Sequence, residues 1–252
     1  MSGRTCTYFL SDAHLGAAYI ADRRAHEGAL VDFLRSIEST AKTVYLLGDI
    51  LDYWFEYRTV VPRGYVRFFG QLARMADSGI RIVWFTGNHD IWLFDYLRDE
   101  LGIEIADPSG GGMAVEIGGT HFFLGHGDDL GRQPRGYRLL RGIFRCRFLQ
   151  KLYSGIHPRW TLPFAHGWSS HSRKAAPPEP HLEGPQRAAL EVECRRLASL
   201  DPDLRYIVIG HHHVAIDEPI TASCRLIVLG DWIKKRTYAV FDGHTLALKQ
   251  FR

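Results

Sequence analysis

The chain has 252 residues, 46% of them hydrophobic, with a formal net charge of +3. That length suits one large domain with a substantial core, or one domain carrying an insertion. No window approaches the roughly 18 consecutive apolar residues of a membrane-spanning helix, so the composition is that of a soluble globular protein. Cys6, Cys146, Cys194 and Cys224 form no Cys-x-x-Cys pair and read as reduced structural thiols. A strand and a cluster of polar ligands are reached by Asp12, which leaves no room for a signal peptide and predicts a cytoplasmic location.

Taken in order, Thr7-Tyr8-Phe9-Leu10 is a buried strand that runs into Ser11-Asp12-Ala13-His14. Leu30, Phe33, Leu34 and Ile37 then recur at the spacing of a helix packed on a sheet. The strand Val44-Tyr45-Leu46-Leu47 follows and enters Gly48-Asp49, and strand, helix, strand favours a parallel pair with a right-handed crossover. Residues 52–61 are aromatic and irregular. Pro62 can open the next helix, with Val66, Phe69, Leu72, Ala73 and Ala76 on one face and a stop near Ser78-Gly79.

A third strand, Ile82 to Thr86, delivers Gly87-Asn88-His89-Asp90, and Ile91 to Leu101 reads as a short helix ended by Gly102. Met113–Ile117 and Thr120–Leu124 form a hairpin across Gly118-Gly119, and the second strand runs into Gly125-His126-Gly127-Asp128. The stretch from Gly131 to about Pro185 differs from the rest. Between Leu130 and Pro178 there is no Asp or Glu, while Arg132, Arg135, Arg138, Arg141, Arg145, Arg147, Lys151, Arg159, Arg173 and Lys174 are basic; the remainder carries 21 basic against 28 acidic residues. Leu140, Ile143, Phe144, Phe148 and Leu152 predict the apolar stripe of one basic amphipathic helix.

Pro185 to Leu200 is again an ordinary helix, and Tyr206 to Ile209 is a strand before Gly210-His211-His212-His213. A strand Arg225 to Leu229 and a hairpin, Tyr238–Phe241 with Thr245–Leu248 around Asp242-Gly243, close the pattern. The expected architecture is one α/β domain over residues 1–252, a mixed sandwich with a helical insertion at 131–185 covering one end.

Five apolar strands thus each deliver metal-type ligands at their carboxyl ends. Asp12, His14, Asp49, Asn88, His126, His211 and His213 offer oxygen and imidazole without thiolate, a mixture that suits Mn, Fe, Zn or Co. Seven donors exceed the need of one ion, and a bridging carboxylate lets them hold two at the spacing used in phosphoryl hydrolysis. Asp49 is the natural bridge. His211 and His213, one residue apart, point to the same side if the backbone there is extended. The remaining histidines, among them His26, His121 and His244, read as capping or core residues.

The set Asp12-Ala13-His14, Gly48-Asp49, Gly87-Asn88-His89-Asp90, Gly125-His126 and Gly210-His211-His212-His213 resembles the signature of the calcineurin-like binuclear metallophosphoesterases. The resemblance implies a four-layer α/β/β/α sandwich, with Asp12, His14, Asp49 and His213 on one metal and Asp49, Asn88, His126 and His211 on the other. It implies a metal-bridging hydroxide as nucleophile and His89 as the group that meets the phosphoryl oxygens or protonates the leaving group, oriented by Asp90.

Within that superfamily, Asp49 is followed by Ile50-Leu51-Asp52-Tyr53-Trp54-Phe55 rather than by the Val-Asp-Arg-Gly of protein phosphatases. Together with Gly87-Asn88-His89-Asp90, His126-Gly127-Asp128, Tyr137 and Arg141, this is similar to the UDP-2,3-diacylglucosamine diphosphatases of lipid A biosynthesis. The implied reaction is hydrolysis of a lipid-linked nucleotide sugar to 2,3-diacylglucosamine 1-phosphate and UMP. Best-known members carry Arg where this chain has His89 and an acidic residue where it has Pro134, so contacts at those two places are not carried over. Tyr137, Arg141, Arg173 and Lys174 are the expected headgroup or diphosphate contacts. The cationic, aromatic insertion also predicts peripheral docking on the anionic cytoplasmic face of the inner membrane; neither a nucleic acid nor a protein partner is implied. A soluble phosphodiesterase or nucleotide pyrophosphatase, and more remotely a nuclease or a metal-free scaffold, are the competing readings.

Overall fold

The computed structural model describes residues 3–108, 111–131, 135–161 and 182–252. Strands β1 (Cys6–Leu10), β2 (Ala41–Leu47), β3 (Arg81–Phe85) and β4 (Glu104–Ala106) run parallel, linked by helices α1 (Arg23–Ile37), α2 (Val66–Asp77) and α3 (Tyr96–Leu101). The last hairpin, β10 (Thr237–Phe241) and β11 (Leu246–Gln250), adds antiparallel to β1 and gives the order β11-β10-β1-β2-β3-β4. The second sheet has the order β5-β6-β7-β9-β8, from β5 (Met113–Ile117), β6 (Thr120–Gly125), β7 (Leu204–Ile209), β8 (Ala215–Pro219) and β9 (Arg225–Leu229). Helices α4 (Arg135–Arg145) and α5 (Arg147–Ser154) follow β6, and α6 (Gly184–Leu200) precedes β7.

Alternation along the strands builds the layers, because successive side chains leave a sheet on opposite faces. Phe9, Tyr45, Leu47, Val83 and Phe85 of the first sheet meet Phe122, Leu124, Val208 and Ile227 of the second. Their neighbours Tyr8, Leu10, Val44, Leu46, Ile82 and Trp84 pack outward with Phe33 and Leu34 of α1 and Phe68 and Leu72 of α2. On the far side Ile207, Ile209, Leu226 and Val228 pack with Leu190 and Cys194 of α6. The result is the expected α/β/β/α order. The central strands are apolar on both faces, which is why they read as continuous runs.

Three helices differ from expectation, each through a tertiary contact. Pro62 does not open α2, which begins at Val66; Val66 is 77% exposed, and the buried apolar face is Phe68, Phe69, Leu72 and Met75. Glu27 on α1 supplies the cap, its Oε1 accepting from the N–H groups of Arg67 and Phe68 at 3.1 Å each. Helix α3 begins only at Tyr96, because Glu56 Oε2 draws in the N–H groups of Phe94, Asp95 and Tyr96 at 2.8, 2.7 and 3.1 Å; Gly102 ends it as expected, at φ +66°.

The single amphipathic helix expected across the insertion is two, broken at Cys146, whose ψ is 109°. Trp92 Nε1 and Gln150 Nε2 donate to the carbonyl of Phe144 at 2.9 and 2.8 Å, occupying the acceptor that a continuing helix would offer to Phe148. Of the expected stripe, Phe144 packs on Trp92, whereas Ile143, Phe148 and Leu152 stay exposed. Strands β4 and β8 were not expected: both lie at sheet edges, and neither shows a continuous apolar run.

Candidate metal centre

The expected ligands gather at the carboxyl ends of β1, β2, β3, β6 and β7. Backbone bonds tie these loops together: Asp12 N–H donates to Gly48 O at 3.1 Å, His14 N–H to Asp49 O at 2.9 Å, and Gly210 N–H to His126 O at 2.9 Å. Asp12, His14, Asp49, His211 and His213 all have φ between +45° and +67°, the left-handed region that costs a non-glycine residue about 1 kcal/mol or more. His211 and His213 are therefore not extended, as their spacing suggested. Two glycines let the loops close. A Cβ on Gly87 would stand 2.5 Å from the Asp49 amide nitrogen, and one on Gly210 would stand 2.5 Å from Asp12 Oδ2.

The two ligand carboxylates divide their oxygens in the same way. Asp12 Oδ2 accepts from the Ser11 hydroxyl at 2.5 Å and from His211 N–H at 2.9 Å, while Oδ1 has no hydrogen-bond donor among the described residues and faces His213 Nε2 at 3.5 Å and His14 Nε2 at 3.9 Å. Asp49 Oδ1 accepts from His89 N–H at 2.8 Å, while Oδ2 stands 3.7 Å from His14 Nε2 and 3.4 Å from His126 Nε2. Asn88 Oδ1 meets His126 Nε2 and His211 Nδ1, each at 3.0 Å. His126 Nδ1–H donates to Leu47 O at 2.9 Å, which makes Nε2 the nitrogen that can offer a lone pair once it gives up its proton.

Among the described residues, three sets of donors have ligand atoms within 4.8 Å of one another: Asp12, His14, His213; His14, Asp49, His89; and Asp49, His126, His211. Asp49 belongs to two of them, as a shared carboxylate should.

Asp12, His14, Asp49 and Asp90 are at most 2% exposed. Burial pushes the Asp12 carboxyl up to about 7, and Asp49 beside it adds to that rise against the pull of His126. Burial also opposes ionisation of Asp49, but His126, His89 and His14 outweigh it and hold this carboxyl well below its ordinary value. His126 moves the other way: burial disfavours its charge, yet Asp49 and Asp12 keep it well above the usual imidazole value. Buried anions this close demand positive charge. An orphaned carboxylate oxygen, imidazole nitrogens and no thiolate fit divalent cations.

The structure corrects one expected role. Among the described residues no hydrogen bond joins the Asp90 carboxylate to the His89 ring; the carboxylate accepts from the N–H groups of Asp49, Ile50 and Gly87 at 3.0, 2.9 and 2.8 Å and from Trp84 Nε1 at 3.1 Å. Asp52 takes the orienting place, its carbonyl 2.9 Å from His89 Nδ1 and its Oδ1 3.6 Å from the same atom. Its position three residues after Asp49 was the available signal. Tyr137 and Arg141 reach Asp128, two residues past His126, each at 3.0 Å. Arg173, Lys174 and Pro134 lie outside the described residues.

The model of the calcineurin-like phosphoesterase family matches residues 7–215. The chain belongs to the calcineurin-like phosphoesterase family. It is a metal-dependent hydrolase, and the family implies divalent metal ions at the site just described. The chain is 39% identical to a UDP-2,3-diacylglucosamine hydrolase of Porphyromonas gingivalis over 98% of this chain and 97% of that protein. A protein of the same name from Ralstonia nicotianae is 29% identical over 72% of this chain and 65% of that one. Among solved structures, an archaeal phosphodiesterase aligns with a TM-score of 0.49 and 14% identity, covering 98% of this chain and 99% of its own.

Proposed function

We infer that this chain hydrolyses the diphosphate of UDP-2,3-diacylglucosamine, releasing 2,3-diacylglucosamine 1-phosphate and UMP. The near full-length likeness to the Porphyromonas gingivalis hydrolase carries the reading. We take the chain as one domain, with residues 131–185 an insertion over the active site.

In this reading Asp12, His14, Asp49 and His213 hold one ion, and Asp49, Asn88, His126 and His211 hold the other. We take manganese as the native metal, with Fe, Zn or Co also suited to these donors. When bound, two such cations neutralise phosphoryl charge and acidify water. The chain's own part is positional. His89 Nδ1–H donates to the Asp52 carbonyl, so Nε2 is the atom that meets a phosphoryl oxygen or returns a proton to the leaving group. Asn88 turns its carbonyl oxygen to His126 and His211 and keeps its amide N–H groups for substrate oxygens. Tyr137, Arg141, Arg173 and Lys174 make the headgroup and diphosphate contacts.

The insertion supports peripheral docking on the anionic cytoplasmic face of the inner membrane. Phe148 and Trp160 are each 69% exposed, and Leu152 and Ile156 are exposed beside them, in a stretch that has arginines and no acid. No helix among the described residues is long and apolar enough to cross a membrane.

Two assays test the proposal. With manganese added, UDP-2,3-diacylglucosamine should be hydrolysed and chelation should abolish turnover; activity confined to a water-soluble aryl phosphodiester would replace the lipid reading by a soluble phosphodiesterase. Sedimentation with anionic vesicles at low salt, lost in neutral vesicles, tests the docking.

A further inference from the structure

Trp92 and Tyr53 hold the insertion at Phe144 and Tyr153, and a buried carboxylate outside the proposed ligands holds it to the loop after His126. Asp128 stands two residues past His126, and Gly127, at φ +105°, turns the chain between them. Its side chain is 3% exposed. One oxygen, Oδ2, accepts from the Tyr137 hydroxyl at 3.0 Å and from Arg141 Nε at 3.0 Å, and the other arm of the Arg141 guanidinium pairs with Asp129. Tyr137 and Arg141 are four residues apart on α4, one helical turn, so a single oxygen gathers both side chains from one face of the helix. Asp128 belongs to none of the donor sets found among the described residues. Arg141 is 17% exposed, which makes this pair a partly desolvated, charge-assisted contact and not a surface ion pair.

From this geometry we propose that Asp128 is a positioning residue, the pivot that fixes α4 against the His126 loop and presents Tyr137 and Arg141 to the substrate. The loop that follows β6 carries both His126 and the residue that locates the insertion, so one loop sets both the metal centre and its cover. The proposal rests on the reading that α4 contributes substrate contacts, and it requires that loss of Asp128 act through α4 and not through the metals.

The test uses the full-length, metal-loaded protein with Asp128→Ala and Asp128→Asn. Three quantities are read: metal content, hydrogen exchange of the α4 amides against those of β6 and β7, and KM and kcat for UDP-2,3-diacylglucosamine and for bis(para-nitrophenyl) phosphate. Expected for Asp128→Ala are normal metal content, α4 exchange faster by roughly tenfold, and a KM for the lipid substrate raised roughly tenfold more than that for the aryl ester. Asp128→Asn keeps an acceptor oxygen and should restore most of both. Metal loss, or equal loss on both substrates with α4 exchange unchanged, would overturn the proposal and assign Asp128 to the support of His126. If the wild type leaves the lipid substrate untouched, the substrate reading fails while the exchange data still decide the role of Asp128. Should Asp128→Ala not fold, Asp128→Asn is compared with Tyr137→Phe, which removes one donor and must speed α4 exchange as well.

Discussion

Asp90 holds Asp49 in place: its Oδ1 accepts from the Asp49 N–H at 3.0 Å, across two loops that come from different strands. The same carboxylate satisfies Gly87, Ile50 and the Trp84 indole. Asp49 is the carboxylate shared between donor sets, so Asp90 sets the geometry of the centre without belonging to it.

Replacing Asp90 with alanine leaves buried N–H groups of both loops unpaired, a loss of about 3 kcal/mol or more. Asp90→Ala should therefore lower the unfolding midpoint and reduce metal content and activity together. Calorimetry and elemental analysis on the same preparation check this; an active variant with full metal and unchanged stability would contradict it.

His89→Gln separates chemistry from metal binding. The proposed ligand sets are complete without His89, and proton transfer by a positioned side chain contributes about a hundredfold or more. Turnover should fall by about that factor while metal stoichiometry is kept. His89 also lies in a donor set with His14 and Asp49, so a metal-depleted variant would place it among the ligands instead.

His26, behind the loop that carries Asp12 and His14, provides a pH test read through stability. Burial pulls this imidazole below its ordinary value of 6.5, against the opposing contact of Nε2 with the Ala13 carbonyl at 2.7 Å. Above pH 6.5 the ring is neutral in both folded and unfolded chains and its contribution is complete. As pH falls below that value the unfolded chain takes up the proton first, so stability declines toward the lower folded value, by at most about 1.4 kcal/mol per pH unit. Urea titrations between neutral and mildly acidic pH should show a shallower decline in His26→Gln than in the wild type.

The thiols should divide by burial. Burial raises Cys194 to about 12 and Cys224 to about 11, whereas Cys146 is exposed at the junction of α4 and α5. Iodoacetamide at mildly alkaline pH should label Cys146 in the native protein and reach Cys194 and Cys224 only after denaturation. Mass mapping of the labelled peptides decides it.

What could be read from the sequence follows from how local each signal is. The strands before Asp12, Asp49, Asn88, His126 and His211 were visible because an apolar run ending in a polar, mostly glycine-led turn is contiguous. The Gly118-Gly119 hairpin was visible because two residues with φ of +59° and +79° leave few choices of side chain. Hidden features depend on partners far away in the chain. Glu27 starts α2, Glu56 delays α3, and Trp92 divides the insertion at Phe144. Asp90 resembled a partner of its neighbour His89, while two of its bonds run to Asp49 and Ile50, some forty positions earlier. Asp128 stood in plain view beside His126, yet nothing local told that its partners are Tyr137 and Arg141.

The pairing of β1 with β10 also bears on how the molecule is made. Phe9 lies opposite Ala239, so one flank of the first strand has no neighbour until residues 10–239 have been made. At cellular synthesis rates that wait is on the order of ten seconds or more. During it an apolar ribbon is presented to every other nascent chain and to the chaperones that shield such ribbons, and the first sheet closes only once residues 237–241 have been made.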